Sequence, residues 1–223
     1  MNTENSATGP MDTENEESNL PCIFATVCVL GKRMGFACYD ELKNCIVADG
    51  LEASTDDLAE IINSIKSTIS PTLFLVHPQI VTNKSLLDLL LADINGTPNK
   101  YRYRALKSSC WSSESAIETI CTKLVVRSPL LRSSLASPQQ NYLHLSALID
   151  LEDNQLKQSL SALLNFMQNS AFNLDGGMVR VASVQSLRLH DYLRLDSGSM
   201  RCVGLHFMIK IKTLFSIKRK RAS

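Results

Sequence analysis

The sequence contains no apolar run that approaches the ~18 residues of a membrane-spanning helix. It also lacks a secretory signal peptide, because residues 1–20 are polar and carry five acidic side chains without a single basic one. This leader has too few apolar side chains to offset the entropy of ordering it, so we expect it to be disordered. Both absences indicate a protein of the cytosol or nucleus without a membrane partner.

The cysteines form no metal-binding or disulfide pattern. Seven of them occur, an odd number, and none makes a C-x-x-C pair or lies beside a histidine cluster. This spacing argues against zinc. Most of them lie among Ile, Val, Phe and Ala residues, where a free thiol packs as a small hydrophobe, as is typical of a reducing compartment. These are Cys22, Cys28, Cys38 and Cys45.

Motifs for the common hydrolytic reactions are missing as well. A phosphate-binding loop requires G-x-x-x-x-G-K-[ST], and the nearest segment, Gly31-Lys32-Arg33, has neither the first glycine nor the hydroxyl. The histidines belong to no Ser-His or Cys-His arrangement; they are His77, His144, His190 and His206. His77, at the end of a predicted strand, is most simply a capping or core residue. We therefore expect this chain to contain no catalytic, cofactor or metal site.

What the sequence does contain is an alternation of strand and helix patterns. Apolar stretches separated by turns predict an antiparallel meander at residues 22–30, 34–39 and 45–48. The segment Ser54–Ile69 begins like a capping box and places its isoleucines on one face, which predicts a helix that Pro71 ends. The apolar run at 72–77 predicts a buried central strand.

The same patterns continue towards the C-terminus. Further helices are predicted at residues 86–91, 115–126 and 141–168, the last with a kink or break at 150–154. Further strands are predicted at residues 101–105 and 179–184, with turns at 95–98 and 175–177. The predicted core consists of Ile23, Val27, Val29, Phe36, Ile61, Ile65, Leu73, Leu75 and Val76.

The element order over residues 21–127, β-β-β-α-β-α-β-α, predicts a ribonuclease-H-like α/β fold with a mixed sheet and helices on its faces. Active members of that fold hold divalent metal with carboxylates from central strands, and two-metal chemistry needs acids within ~4 Å of shared ions. The first predicted strand, Ile23–Leu30, contains no acidic residue. Asp40 and Asp49, at strand ends, are the candidates if the protein is instead a free-standing metal-dependent nuclease.

The stretch Val184–Met200, VQSLRLHDYLRLDSGSM, combines a dense apolar side with helix N-cap residues at 196–199, which predicts the start of a long helix. Its Leu-His-Asp-Tyr-Leu-Arg-Leu-Asp-Ser-Gly form resembles the segment that leads into the core and lever domain of the MutS family, most closely the meiotic fifth-homologue group. Residues 148–166 resemble the helix that connects the MutS connector to this core. The MutS connector has a ribonuclease-H-like fold, so the resemblance agrees with the periodicity.

The resemblance implies a domain organisation. It comprises a disordered acidic leader at 1–20, a connector-like domain at 21–138, a connector-to-core helix with the start of the α-helical core or lever domain at 139–200, and a divergent basic tail at 201–223. The leader passes directly into the connector, without a mismatch-recognition domain. Beyond Met200 the pattern has no acidic residue and no helical stripe. We therefore expect the family sequence to end near Met200 and residues 201–223 to be poorly packed.

The resemblance also implies a function. The full-length relative would be an ATP-gated heterodimeric clamp that binds mismatched or branched DNA, including recombination intermediates, and promotes crossover in the nucleus. Its partner would be a paralogous MutS homologue of the fourth-homologue type. ATP and Mg would belong to the ATPase domain of full-length relatives, so we expect no ATP binding by this chain. A plain protein-interaction module is the remaining alternative.

Two basic features are candidates for nucleic-acid contact. Tyr101-Arg-Tyr-Arg104 interleaves aromatics that can stack on bases with arginines that can pair with phosphates. Alternation on an outer strand would instead bury both tyrosines and expose both arginines, and we favour that interpretation. The second candidate is the terminal basic cluster, Lys218, Arg219, Lys220 and Arg221. This cluster is either a nuclear import signal or a phosphate contact with weak, salt-dependent affinity for nucleic acid.

Overall fold

A long antiparallel meander opens the fold. In the computed structural model, β1 (Ile23–Leu30), β2 (Arg33–Asp40) and β3 (Cys45–Glu52) pair over their whole lengths. Gly31 adopts a φ of +62° in the turn between β1 and β2, a conformation that glycine reaches without steric cost. The predicted meander is confirmed. The structure describes residues 22–52, 58–94, 100–127, 137–170, 174–175 and 177–187.

Helices and strands alternate after the meander, as predicted. The next elements are α1 (Leu58–Ile69), β4 (Leu73–Val76), α2 (Pro78–Thr82), α3 (Lys84–Leu91) and β5 (Arg102–Ala105). β4 pairs in parallel with β1, and β5 pairs in parallel with β4. The short helix α2 was not predicted. It forms because Pro78 suits the first turn of a helix and the Nδ1 atom of His77 accepts a hydrogen bond from the backbone N–H of Gln79 at 3.1 Å.

The remaining elements build a second helical layer and a small second sheet. They are a 3-10 helix (Ser108–Trp111), α4 (Ala116–Lys123), β6 (Leu124–Val126), α5 (Pro138–Ser146), α6 (Asn154–Asn169), β7 (Leu174–Asp175), β8 (Met178–Val181) and β9 (Ser183–Gln185). β6, β8 and β7 form the second sheet in that order, whereas β9 joins the main sheet beside β3. The break predicted at 150–154 is confirmed, because α5 and α6 are separate helices.

Two predicted elements need correction in this region. The helix predicted to run to Val126 ends at Lys123, because the apolar, β-branched residues of β6 pair with β8 instead of continuing the helix. The strand predicted at 179–184 is divided between two sheets. Ala182 lies at the division, where its N–H donates to the carbonyl of Asn44 at 2.7 Å and directs β9 towards β3.

The main sheet has the strand order β5-β4-β1-β2-β3-β9, and β2 alone runs opposite to the other strands. The protein therefore has a mixed α/β fold, with the predicted ribonuclease-H-like order in its first five strands. Layers of helices cover both faces of the sheet, as the nearly continuous apolar sequences of β1 and β4 require.

The two faces have separate cores. Helices α1 and α3 cover one face, and α4, α5 and α6 cover the other. Of the predicted core residues, six are buried, while Ile23, Val29 and Leu73 are only partly buried. The predicted apolar stripe of α6 is fully buried; it comprises Leu156, Leu160, Leu163, Leu164 and Met167. Of the predicted core residues, only Leu75 is a buried member of the core that this stripe completes.

The core is continuous across the predicted domain boundary at residue 138. Helix α6 lies across β1 and β2, and β9 extends the main sheet. Within the described structure, α5, α6, β8 and β9 thus pack with elements of residues 22–127. The division into a connector-like domain at 21–138 and a connecting helix with the start of a further domain at 139–200 stays a prediction. The helical MutS core itself stays a prediction.

Several predictions lie outside the described residues. They concern the leader at 1–20, the cap before α1 at 54–57, the turn at 95–98, the motif beyond residue 187, and the tail at 201–223 with its basic cluster. In the part of the chain that the structure describes, no helix is long and apolar enough to cross a bilayer.

Candidate functional site

Asp40 and Asp49, the two candidates for metal binding, lie apart in the sheet. Asp40 is in register with Cys45, whereas Asp49 is in register with Phe36. The backbone positions of the two residues are therefore separated along β2 and β3 by roughly 13 Å, the rise of four strand residues. Two-metal chemistry needs acids around shared ions, and this pair does not meet that requirement.

Each of these carboxylates has a local structural partner. Asp40 accepts a hydrogen bond from the backbone N–H of Lys43 and pairs with its ammonium, both at 3.1 Å. Burial acts to raise the pKa of Asp40, but these two interactions outweigh it and lower the pKa. Asp49 accepts hydrogen bonds from the N–H of Gly50 at 2.9 Å and from the hydroxyl of Ser186 at 3.2 Å.

The centre of the sheet contains hydroxyls and apolar groups where a metal-dependent nuclease would need acids. β1, β4 and α6 contain no Asp or Glu. The buried hydroxyl of Thr26 lies 2.9 Å from the carbonyl oxygens of both Ala37 and Ser159, and the Ser159 hydroxyl donates to the carbonyl of Gly35 at 2.8 Å. Among the described residues, no three potential metal ligands come together.

The N-terminus of α6 is fixed against β2 and β3. Asp153 accepts a hydrogen bond from the N–H of Leu156 at 2.8 Å, which caps the helix, and its other carboxylate oxygen pairs with Arg33 at 3.0 Å. Gly35 and Gly50 allow the close approach, because a Cβ atom at either position would collide with this end of the helix. These charged residues therefore have a structural role in docking α6.

The free thiols and His77 have the structural roles expected from the sequence. Burial raises the pKa of Cys28 to about 11 and that of Cys38 to about 12, and both therefore stay protonated at neutral pH.

His77 caps α2 and packs edge to face against Trp111, with ring centroids 5.5 Å apart, and burial lowers its pKa.

Lys66 is the most deeply buried charged residue that sequence reasoning missed. Only 1% of its surface is exposed, and its Nζ donates to the carbonyls of Leu89 at 2.5 Å and Ala92 at 2.6 Å, at the C-terminal end of α3. Its ammonium also lies 5.3 Å from the ring centroid of Tyr101. Desolvation lowers the pKa of Lys66 to about 8, although Asp93 opposes the shift. The contacts identify a helix-capping lysine.

The buried position of Lys66 gives a testable pH dependence. An unfolded lysine has a pKa of 10.5, whereas the folded value is about 8. Between these values the unfolded chain binds more protons, so this residue makes the free energy of unfolding rise with pH. We expect the stability difference between the wild type and Lys66→Met to change by roughly 1 kcal/mol from pH 7 to pH 9, in favour of the wild type. Urea unfolding at each pH measures it, and a difference that does not vary with pH would contradict the assignment.

A cluster of exposed basic and aromatic side chains lies along the outer strand of the main sheet. We call it the β5 edge; it consists of Arg102, Tyr103, Arg104 and Lys107, all of which are exposed. The prediction that both tyrosines are buried is wrong for Tyr103, which is 41% exposed on the edge strand of the main sheet. Tyr101 is half-buried against Phe74, with ring centroids 5.7 Å apart.

The fold and these sites define a mixed α/β domain whose strands β1 and β4 contain no acidic residue and whose edge strand β5 is basic. No protein-family model and no curated protein matches the chain. Among solved structures, it is similar to RuvC of T. thermophilus in complex with a Holliday junction substrate, with 10% identity, a TM-score of 0.37, and coverage of 68% of this chain and 97% of that chain. The structure of Thermus thermophilus RuvC alone gives 12% identity, a TM-score of 0.36, and coverage of 68% and 94%. These low values assign neither a family nor an activity.

Proposed function

We propose that this chain is the non-catalytic connector module of a MutS-homologue protein that acts in meiotic recombination and DNA repair. The observation that carries the proposal is a ribonuclease-H-like sheet whose strands β1 and β4 contain no acidic residue and whose α6 face is filled with apolar side chains. Such a sheet suits a scaffold that positions neighbouring parts of a protein. It is poorly suited to holding catalytic metal ions.

The route of the chain towards the MutS-like motif supports the same proposal. β9 pairs with β3, and the buried side chains of Val184 and Leu187 extend into separate cores of the sheet. The hydroxyl of Ser186 donates to Asp49 between them. The segment that resembles the start of the MutS core therefore continues from a point that is anchored to the sheet. A connector needs such an anchored exit if it is to orient that core.

The full-length relative would act as an ATP-gated heterodimeric clamp on mismatched or branched DNA. Its partner would be a MutS homologue of the fourth-homologue type, and its site of action would be the nucleus. In this proposal the ATPase domain of full-length relatives supplies ATP and Mg binding, and the present chain supplies a rigid connecting body. The free-standing nuclease and the plain interaction module are the alternatives that the tests must separate.

The first test asks whether the sheet has metal-dependent nuclease activity. The chain is incubated with linear and four-way-junction DNA in the presence of Mg²⁺ or Mn²⁺, beside Asp40→Asn and Asp49→Asn and a known metal-dependent nuclease as positive control. We expect no cleavage by the wild type or by either variant. Cleavage by the wild type that either substitution abolishes would reject the scaffold proposal in favour of the nuclease.

The second test asks whether the chain joins a MutS-type assembly. The tagged chain is co-expressed with a fourth-homologue MutS paralogue, and with a mismatch-repair MutS homologue as a matched control for specificity. We expect the fourth-homologue protein to co-purify in the larger amount. Equal recovery of both proteins, or recovery of neither, would count against the proposed partner.

A further inference from the structure

We propose that the β5 edge binds single-stranded nucleic acid, with its basic side chains on the phosphate backbone and Tyr103 stacked on a base. This inference goes beyond the connector role, because it assigns nucleic-acid contact to residues of this module itself. It requires neither a paralogous partner nor an ATPase domain. Its success or failure is therefore separate from that of the co-purification described above.

The charge around the β5 edge is positive over a long segment. Residues 94–113 contain four basic side chains and no acidic one. Lys100 pairs with Asp93 at 2.9 Å, whereas the three basic residues of the β5 edge form no ion pair with any described residue. Basic side chains without carboxylate partners are available to neutralise phosphates.

The strand geometry orders these charges in a row. Arg102 and Arg104 are in register with Leu73 and Leu75, so both side chains lie on the face of the sheet that α6 covers. They are two residues apart, which places their Cα atoms roughly 7 Å from each other. Lys107 follows just beyond the end of the strand. A backbone that runs along the β5 edge would meet these charges one after another.

One of these arginines is already oriented by the protein. The guanidinium of Arg104 lies 5.6 Å from the ring centroid of Phe166, and Phe166 packs edge to face against Phe24 at 5.2 Å. A planar guanidinium held over an aromatic ring loses less freedom when it pairs with a phosphate. Lys123 adds a further cation near this part of α6, where its Nζ donates to the side chain of Asn165 at 3.0 Å.

Tyr103 supplies the feature that favours a single strand over a duplex. It is in register with Phe74 and therefore lies on the opposite face from the two arginines, with its ring partly exposed. Unpaired bases can stack on such a ring, whereas a duplex buries its base faces. Interleaved aromatic and basic residues on one exposed strand fit this mode of binding. An added peptide strand, the other ligand of a sheet edge, would need neither the arginines nor the tyrosine.

The test is fluorescence anisotropy of the full chain with labelled oligothymidylate of about 20 nucleotides, which exceeds the usual site size of such surfaces. The variant Arg102→Ala/Arg104→Ala/Lys107→Ala is compared with Lys32→Ala/Lys84→Ala/Arg127→Ala, which removes the same charge from exposed positions elsewhere. We expect only the first variant to weaken binding and to reduce the slope of log K against log salt by about 2, as three lost phosphate contacts predict.

Substitutions of Tyr103 test the stacking separately. We expect Tyr103→Ala to weaken binding roughly tenfold without changing the salt slope, and Tyr103→Phe to retain wild-type affinity. A labelled duplex of the same length should bind more weakly, and equal affinity for the duplex would overturn the single-strand assignment. Equal effects of the two triple variants would overturn the site. Loss of binding only when Lys218–Arg221 are replaced would also overturn the site. Preferential, salt-insensitive binding of an extended peptide would overturn the choice of nucleic acid as the ligand.

Discussion

Substitution of Gly35 by alanine should destabilise the fold by roughly 3 kcal/mol or more, at the upper end of what overpacking costs. A Cβ atom at this position would overlap the carbonyl of Gln155 and lie 2.5 Å from the backbone nitrogen of Leu156. Because these are backbone atoms at the start of α6, no side-chain rotation relieves the collision. The helix would have to move away from β2 and lose the hydrogen bond between Ser159 and the carbonyl of Gly35.

Urea unfolding of matched glycine variants measures this effect. Gly31→Asn is the control, because position 31 has open space around it and a positive φ that asparagine tolerates. Gly50→Ala should have an intermediate effect, since its Cβ would meet the side chain of Asp153 at 2.6 Å and that side chain can rotate, although the cap of α6 would be weakened. If Gly35→Ala were no more destabilising than the control, α6 would not be seated on β2.

Leu75→Ala is expected to cost about 2 to 5 kcal/mol, the range for a buried leucine whose removal leaves a cavity. Leu75 is fully buried in β4, which lies between β1 and β5, and its side chain belongs to the core on the α6 side. Strands on both sides restrict backbone movement, so the surroundings have little freedom to fill the cavity.

Two exposed leucines provide controls for the same chemical change. Leu42 is 77% exposed and Leu143 is 68% exposed, so alanine at either position should change the free energy of unfolding by less than about 0.5 kcal/mol. The comparison separates burial from the loss of leucine itself. A loss well below 1 kcal/mol for Leu75→Ala would remove β4 from the core and contradict the fold assignment.

The sequence predicted the order of strands and helices well because each has a local hydrophobic period. The meander, α1, β4, α3 and the break before α6 all follow from spacing, turn residues and caps. β6 was missed because Leu124-Val-Val126 continues an apolar pattern that also suits a helix. These residues form a strand because they pair with β8, a contact that the local sequence does not reveal. α2 was missed because Pro78 marks both the end of a strand and the first turn of a helix.

Sites were harder to predict than elements because they depend on register and tertiary contact. Asp40 and Asp49 look close in the sequence, yet the hairpin between β2 and β3 places them at different levels of the sheet. Lys66 offered a signal that was overlooked: it lies within the apolar stripe of α1, between Ile62 and Ile69 at helical spacing. Tyr103 was expected to be buried even on an outer strand, and its exposure shows that local alternation does not specify how completely an edge strand is covered.

The late position of α6 in the chain has a consequence during synthesis on the ribosome. Thr26 and Ser159 meet across 133 residues, and Gly35 and Ser159 across 124. At the usual rate of translation, roughly ten seconds therefore pass between synthesis of the meander and synthesis of α6, which covers the apolar surface of the meander. Throughout that interval a growing chain that has not reached residue 154 exposes Phe24, Ala37 and Tyr39 to solvent. This module should therefore depend on chaperones that bind emerging polypeptides more than a domain closed by neighbouring helices would.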